Sequence, residues 1–204
     1  MVDVVLASAS PARKKLLDAA GVKFSVEVSG IDEEDPIYSE MTPREMVIAL
    51  AIVKAHTVGQ KIDSPSFIIG CDSTFELDGK SLGKPLTTEA AISRARVTSG
   101  RTGTLHTGHC FLDTAQQREI SLVVSTQVTF SQLSEEEIAD YVASGEPLNV
   151  AGGFTLDGLS SPFISSIQGD YTNVIGLSLP ALRAASSELG YIWPEFKNSL
   201  VGSR

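Results

Sequence analysis

Several things are scarce in this sequence. Its 204 residues include two cysteines, Cys71 and Cys110, each beside apolar neighbours. That excludes a disulfide-stapled scaffold and leads us to expect buried free thiols that serve packing in a reducing compartment. No apolar run approaches the ~20 residues a membrane-spanning helix needs, and the first ten residues carry Asp3 and no basic flank. Neither a membrane span nor a secretory signal is expected, and the expected location is the cytoplasm. Cations are also in deficit, with 16 Lys and Arg against 25 Asp and Glu and a formal net charge of -9. Affinity for DNA or RNA comes from neutralising phosphates with Lys and Arg, so no nucleic-acid partner is expected. An anionic small molecule is still permitted, because a few placed cations or a carboxylate-held divalent metal bind it whatever the net charge.

Internal repeats, low-complexity tracts and Pro/Gly/Ser-rich linkers are likewise missing. One domain over residues 1–204 is expected, with a polar C-terminal tail from about residue 191. What is present is a 42% hydrophobic chain, enough for one sizeable core. Val2 to Ala7 reads as a strand, followed by Ser10 as an N-cap, Pro11 as a first helical position and Gly21 as a stop. Thr42-Pro43-Arg44-Glu45 is a capping box opening a helix to about Thr57. Ser66 to Cys71 is a nearly continuous apolar run, expected to be a buried strand with Asp72 at its end. Asp78-Gly79 marks a hairpin of two short strands within Thr74 to Leu82. A helix over Thr88 to Ser99, an antiparallel pair over Leu105–Leu112 and Ile120–Phe130, and a capping-box helix from Ser134 to Gly145 follow. The Gly-rich stretch Ala151 to Gly158 precedes a strand near Phe163 to Ile167 and a last helix from about Pro180 to Gly190. This order predicts an α/β fold with a mixed sheet.

The junction Ser8-Ala9-Ser10-Pro11-Ala12-Arg13 puts two hydroxyls and an arginine where a strand meets a helix N-terminus. Free amides, the helix dipole and a guanidinium fork all favour phosphate there. Ser10 as a mere cap, with Arg13 on a solvated face, fits the spacing equally well. Asp72 beyond a strand end could hold metal or take a proton from water, although on local sequence alone an Asx turn is the better reading. Lys84, between Gly83 and Pro85, has the backbone of a positioned cation. Glu33, in the acidic run 32–35, could reach a metal, and Lys54 near a helix end could simply complement the dipole. Gly79-Lys80-Ser81 mimics the end of a Walker A loop, but Thr74 stands where its first glycine is required. His106 and His109 fall on opposite faces of a strand, which excludes a joint zinc site.

Taken in order, these segments resemble the Maf family over nearly the whole chain, from Leu6 to about Gly190. The S-x-S-P-x-R block lies at Ser8 to Arg13 and the acidic element at Ile31-Asp32-Glu33, followed by Lys54-Ala55, Asp72-Ser73 and Leu82-Gly83-Lys84-Pro85. Ser99-Gly100-Arg101, Thr107-Gly108, Tyr141 to Leu148, Ala151-Gly152 and Asn173 to Leu177 complete the set. The resemblance implies a two-lobed elongated mixed sheet flanked by helices, similar to the inosine triphosphate pyrophosphatases, with a central cleft. It also implies hydrolysis of nucleoside triphosphates to monophosphate and pyrophosphate with a divalent cation, Mg²⁺ or Mn²⁺, and a homodimer. Asp72 would be the general base or a metal ligand, and Glu33 a metal-site carboxylate. Ser8, Ser10, Arg13, Lys54 and Lys84 would hold the triphosphate and offset developing charge. The pyrimidine-preferring branch usually carries Arg, Thr and Gln where this chain has Ala12, Ser73 and Asp157, and the 7-methyl-GTP branch carries Trp, Gln and Glu. This chain follows neither, so modified or non-standard nucleotides remain candidate substrates. A nucleotide-binding regulator of septum formation would keep the phosphate cradle without needing Asp72, and a metal-dependent phosphomonoesterase would release orthophosphate.

Overall fold

The computed structural model of the chain describes residues 2–194. Local signals set its elements. Strand β1 (Asp3–Leu6) leads to helix α1 (Pro11–Ala19), which starts where Ser10 Oγ accepts the Arg13 amide and Pro11 presets the first helical φ. A two-residue strand β2 (Ser25–Val26) and the acidic loop precede α2 (Pro43–Gly59), opened by a complete Thr42/Glu45 capping box. Strand β3 (Ser66–Leu77) turns at Asp78 and Gly79, both at positive φ, into β4 (Lys80–Leu82). Helix α3 (Thr88–Thr98), the long hairpin β5 (Thr102–Asp113) and β6 (Arg118–Phe130), and α4 (Glu135–Ala143) come next. A loop with short 3-10 turns, strand β7 (Ile164–Gln168), a five-residue helix α5 (Tyr171–Ile175) and α6 (Leu179–Glu188) complete the described chain.

The sheet order is β2-β1-β3-β5-β6-β7, with β4 pairing to β3 off this path. β1 is parallel to β2 and β3, and every other pairing is antiparallel. The fold is therefore α/β with a mixed sheet. Its two lobes come from the length of β3, β5 and β6. At one end, Phe67, Ile69, Cys71 and Phe111 pack under α1 and α6, while Ile68 and Cys110 pack under α2 with Ala51 and Ala55. At the other, Phe75, Leu105, Val128, Phe130 and Phe154 form a separate core. Each fully buried aromatic among them contributes about 1.5–3 kcal/mol. Between the cores, Asp72-Ser73-Thr74 lie opposite His106-Thr107-Gly108, so a polar belt crosses the middle of the sheet.

The long hairpin strands run a few residues beyond their expected ends, and two further boundary differences bear on the site. β3 continues through Asp72 to Leu77, because β5 supplies partners for every residue from Phe67 to Glu76. Asp72 is thus a mid-strand residue rather than a strand-end one, and the expected first arm of the short hairpin is the continuation of β3. Helix α2 continues to Gly59, so Lys54 is more than a turn from its end and is buried at 5% exposure, instead of complementing the dipole at the terminus. The short β2 and α5 carry no periodicity long enough to read in sequence. Most of the expected polar tail lies outside the described residues. Its first residue does not behave as tail, since the Tyr191 ring meets Phe67 edge-on and its hydroxyl donates to Asp113 Oδ2 at 2.6 Å.

Helix α2 lies directly on β3 and β5 because two glycines let it. A Cβ built on Gly70 would sit 2.3 Å from the Ala51 carbonyl oxygen, and one on Gly108 would sit 2.2 Å from that of Val47. Both neighbours are backbone atoms of a helix and cannot rotate away. Gly108→Ala should therefore lift α2 and cost about 1–3 kcal/mol, the usual range for overpacking. Urea unfolding of the variant measures this, and an unchanged midpoint would mean that α2 can tilt off the sheet freely.

Candidate active site

The site forms where the sheet has a gap. β1 makes its last link when the Ala7 amide donates to the Ile69 carbonyl at 2.9 Å, and β4 first pairs at Leu82 with Phe75. Between them, residues 70–74 of β3 have no strand neighbour on that edge. Asp72 thus stands beyond the carboxyl end of β1, though not beyond the end of its own strand. Ligands in α/β sheets gather beyond such strand ends, where loops diverge.

Side chains reach this gap on both faces of β3. On the α2 face, Lys54 Nζ lies 2.7 Å from Asp72 Oδ1 and 2.7 Å from Glu33 Oε1. The lysine and aspartate side chains are only 6% and 11% exposed, whereas Glu33 is 46% exposed and opens the cluster to solvent. Burial pushes the Asp72 carboxyl above the ordinary range, with the Lys54 charge and hydrogen bond and the Arg13 charge offsetting this only in part. Glu33 loses some hydration too, but the Lys54 hydrogen bond and charge, with Lys84 and Arg13, hold its carboxyl below the usual range. Lys84 is itself exposed and acts on Glu33 through its charge.

On the opposite face, Arg13 is 8% exposed. Its Nε donates to the Gly176 carbonyl at 2.7 Å, Nη1 to Ser8 Oγ at 2.9 Å and Nη2 to Ser73 Oγ at 3.0 Å. Among the described residues no carboxylate pairs with it. The hydroxyls beyond it form an ordered chain. Thr107 Oγ1 donates to the Asn173 carbonyl at 3.1 Å, so it accepts from Ser73, 2.9 Å away, which in turn accepts from Arg13. Ser8 Oγ accepts from Arg13 and from the Ser10 amide, which leaves its proton free to donate outward. A buried guanidinium flanked by neutral oxygens can bind an anion, and a desolvated carboxylate across the strand can take a proton from water.

The expected site residues are therefore not all in one place. Ser8, Arg13, Glu33, Lys54, Asp72 and Ser73 meet at the gap, with Lys84 at its rim. The Ser10 hydroxyl caps α1, so only its proton and the nearby amides are available to a ligand. Ala12 is half-buried in the first turn of α1. Asp157 is exposed in the loop after Phe154, and no hydrogen bond among the described residues ties it to the gap. Sequence reasoning missed a role for Thr107, Gly108, Asn173 and Gly176; the motif blocks holding them were visible, but their contacts span up to 163 positions of chain. His106 and His109 do occupy opposite faces. His106 meets Glu76 and Ser125, while His109 accepts the Ser178 amide and is kept neutral by burial, its pKa near 3.

The family described as Maf-like protein matches residues 3–189. A relative from Streptomyces coelicolor, named nucleoside triphosphate pyrophosphatase, is 53% identical over 188 residues, covering 92% of this chain and 90% of its own. One of the same name from Thermosynechococcus vestitus is 48% identical over 198 residues, covering 97% and 99%. A solved structure of a nucleoside-triphosphatase / dITP/XTP pyrophosphatase from Mycobacterium abscessus aligns with 98% of this chain and 100% of its own at 12% identity, with a TM-score of 0.41.

The energetics of the Lys54 pair can be tested directly. Lys54→Met leaves the Asp72 carboxylate buried without its partner and should cost about 3 kcal/mol, the lower end of the usual penalty for breaking a buried pair. Adding Asp72→Asn removes that charge and should recover most of the loss. Denaturant melts of both variants measure it, and equal destabilisation by the single and the double variant would refute the coupling.

Proposed function

The chain belongs to the family of Maf-like proteins, and we propose that it cleaves nucleoside triphosphates between the α and β phosphates, releasing a monophosphate and pyrophosphate. The observation that carries the reading is charge pairing. Lys54 is matched by Asp72 and Glu33, whereas buried Arg13 faces only neutral oxygens. A desolvated cation with no carboxylate in direct contact is incompletely compensated, and an arriving polyphosphate would complete that compensation.

In this reading Arg13 and the Ser8 hydroxyl hold the phosphate chain, helped by the amides at the start of α1. Gly176, Ser73 and Thr107 fix the guanidinium so that it needs no reordering when substrate binds. Asp72 takes the proton from the attacking water. Its raised pKa makes it a stronger base than a solvated aspartate, and Lys54 holds one oxygen in place while keeping the group ionised. Lys84, at the rim, supplies positive charge to the oxygens on which charge grows.

The donors also fit a divalent metal. Asp72 Oδ2 and Glu33 Oε2 are hard oxygens not engaged by Lys54, and Glu33 is open to solvent, which suits Mg²⁺ or Mn²⁺. When bound, such an ion would supply charge neutralisation at the triphosphate.

Asp72→Asn should lower turnover by ~10²–10⁴-fold, the usual worth of a general base, while leaving the fold intact. Steady-state assays beside a thermal melt decide this, and near-normal turnover in a folded variant would remove Asp72 from the reaction. The product should be pyrophosphate, seen as orthophosphate only after an inorganic pyrophosphatase is added. Direct orthophosphate would favour the phosphomonoesterase, and binding without turnover the regulator. Activity should vanish with EDTA and return with Mg²⁺ or Mn²⁺.

The pH profile has a defined sign. Because the Asp72 pKa is raised, activity should fall, as pH drops, at a higher pH than for an ordinary aspartate. Lys54 lowers that pKa, so residual activity of Lys54→Met should fail at a higher pH still. A limb moving the other way would contradict the assignment.

Asp157 is acceptor-only when ionised and would favour bases that present N–H donors, and the short Ala12 side chain leaves a roomier site for the base. Asp157→Gln should shift kcat/KM toward dTTP and UTP relative to purine substrates by about 1–3 kcal/mol. Unchanged ratios across a nucleotide panel would mean that Asp157 does not face the base.

A further inference from the structure

On the flank of α2 opposite Lys54, the face of the sheet brings together three ligand types that the hydrolytic reading does not use. His56, Cys110 and Glu119 each offer one donor atom, and the three atoms lie within 4.8 Å of one another. His56 follows Lys54 by two positions, about 200° around the helix, so its imidazole points over β5 and β6 rather than toward the gap. Its Nε2 is 2.6 Å from Glu119 Oε2 on β6, and beneath this pair lies the fully buried Cys110 of β5. We infer that His56, Cys110 and Glu119 form a second cation site, for a borderline-soft divalent ion of the zinc class, with water completing the tetrahedron.

Geometry and donor chemistry carry the inference. A tetrahedral ion with bonds of about 2.0–2.3 Å needs its N, O and S ligands roughly 3.3–3.7 Å apart. The three atoms lie within 4.8 Å of one another, about 1 Å beyond that spacing at most, and the 2.6 Å His56–Glu119 contact must open by about 1 Å, so small side-chain adjustments close the site. Both side chains are exposed, at 48% and 37%, and can rotate at little cost. Thiol, imidazole and carboxylate together select zinc-like ions over Mg²⁺, which prefers all-oxygen octahedra. The ligands come from three separate elements held by the α2–sheet contact, so the site is pre-formed by the fold. Ser121 donates to Glu119 Oε1 at 3.5 Å, as an outer-shell partner would. Burial opposes occupation, since it pushes the Cys110 thiol up to about 12. The ion offsets this by replacing the thiol proton, which leaves to solvent as the metal–sulfur bond forms.

The test is titration of the untagged, chelator-stripped, reduced protein with Co²⁺ in excess Mg²⁺, followed by Zn²⁺ competition. A thiolate-to-cobalt charge-transfer band should appear at one equivalent and be lost on adding Zn²⁺, and Zn²⁺ should raise the melting temperature. Asp72→Asn should keep the band, which separates this site from the hydrolytic one. Cys110→Ser should abolish it. Should that core variant fail to fold, His56→Ala and Glu119→Gln alter only exposed side chains and should weaken Co²⁺ binding about tenfold or more. No band at saturating Co²⁺, or a band unaffected by His56→Ala and Glu119→Gln, would overturn the inference.

Discussion

The buried contact between Lys54 and Asp72 is the constraint on which the rest of the site depends. Bringing both charges out of water is unfavourable, and their attraction offsets it only at hydrogen-bond distance. That distance, 2.7 Å, exists because α2 rests on the sheet over Gly70 and Gly108. Gly108 is also the cross-strand partner of Asp72, so the residue that admits the helix sits beside the carboxylate the helix neutralises. A side chain at either glycine would separate helix and sheet and strand the aspartate.

The second constraint is the gap itself. β1 stops after four residues while β3 continues for twelve, and β4 takes up pairing only further along. A continuous sheet edge would have filled this space with ladder hydrogen bonds. Because it is open, groups from α1, α2 and the acidic loop converge on the same stretch of β3 from both faces. Asp72 and Ser73 are consecutive and so point opposite ways, one to the Lys54 pair and the other to Arg13. The buried lysine–carboxylate pair and the buried guanidinium thus lie on the two sides of one strand.

Helix α2 has two working flanks. Lys54 serves the gap and His56 reaches the sheet on the far side, so the same close approach positions both sets of groups. The polar belt in mid-sheet also explains the two lobes. Apolar packing is interrupted at Asp72–Thr74 and His106–Gly108, and each half of the long strands gathers its own core.

Sequence alone determined most of the local structure here, because capping and turn signals act within a few residues. Ser10, Thr42 and Ser134 start their helices where the pattern places them, and Asp78-Gly79 makes its hairpin. It also determined the candidate residues, since Ser8, Arg13, Lys54 and Asp72 stand in ordered blocks that resemble one family. Tertiary structure decided what those residues touch. That Lys54 is buried, that Asp72 is mid-strand, and that Arg13 is locked by Ser73 and Gly176 all depend on contacts between distant segments. No local signal encodes them, because a strand continues only as far as its neighbours pair with it, and a charge is buried only where a partner arrives from elsewhere in the chain.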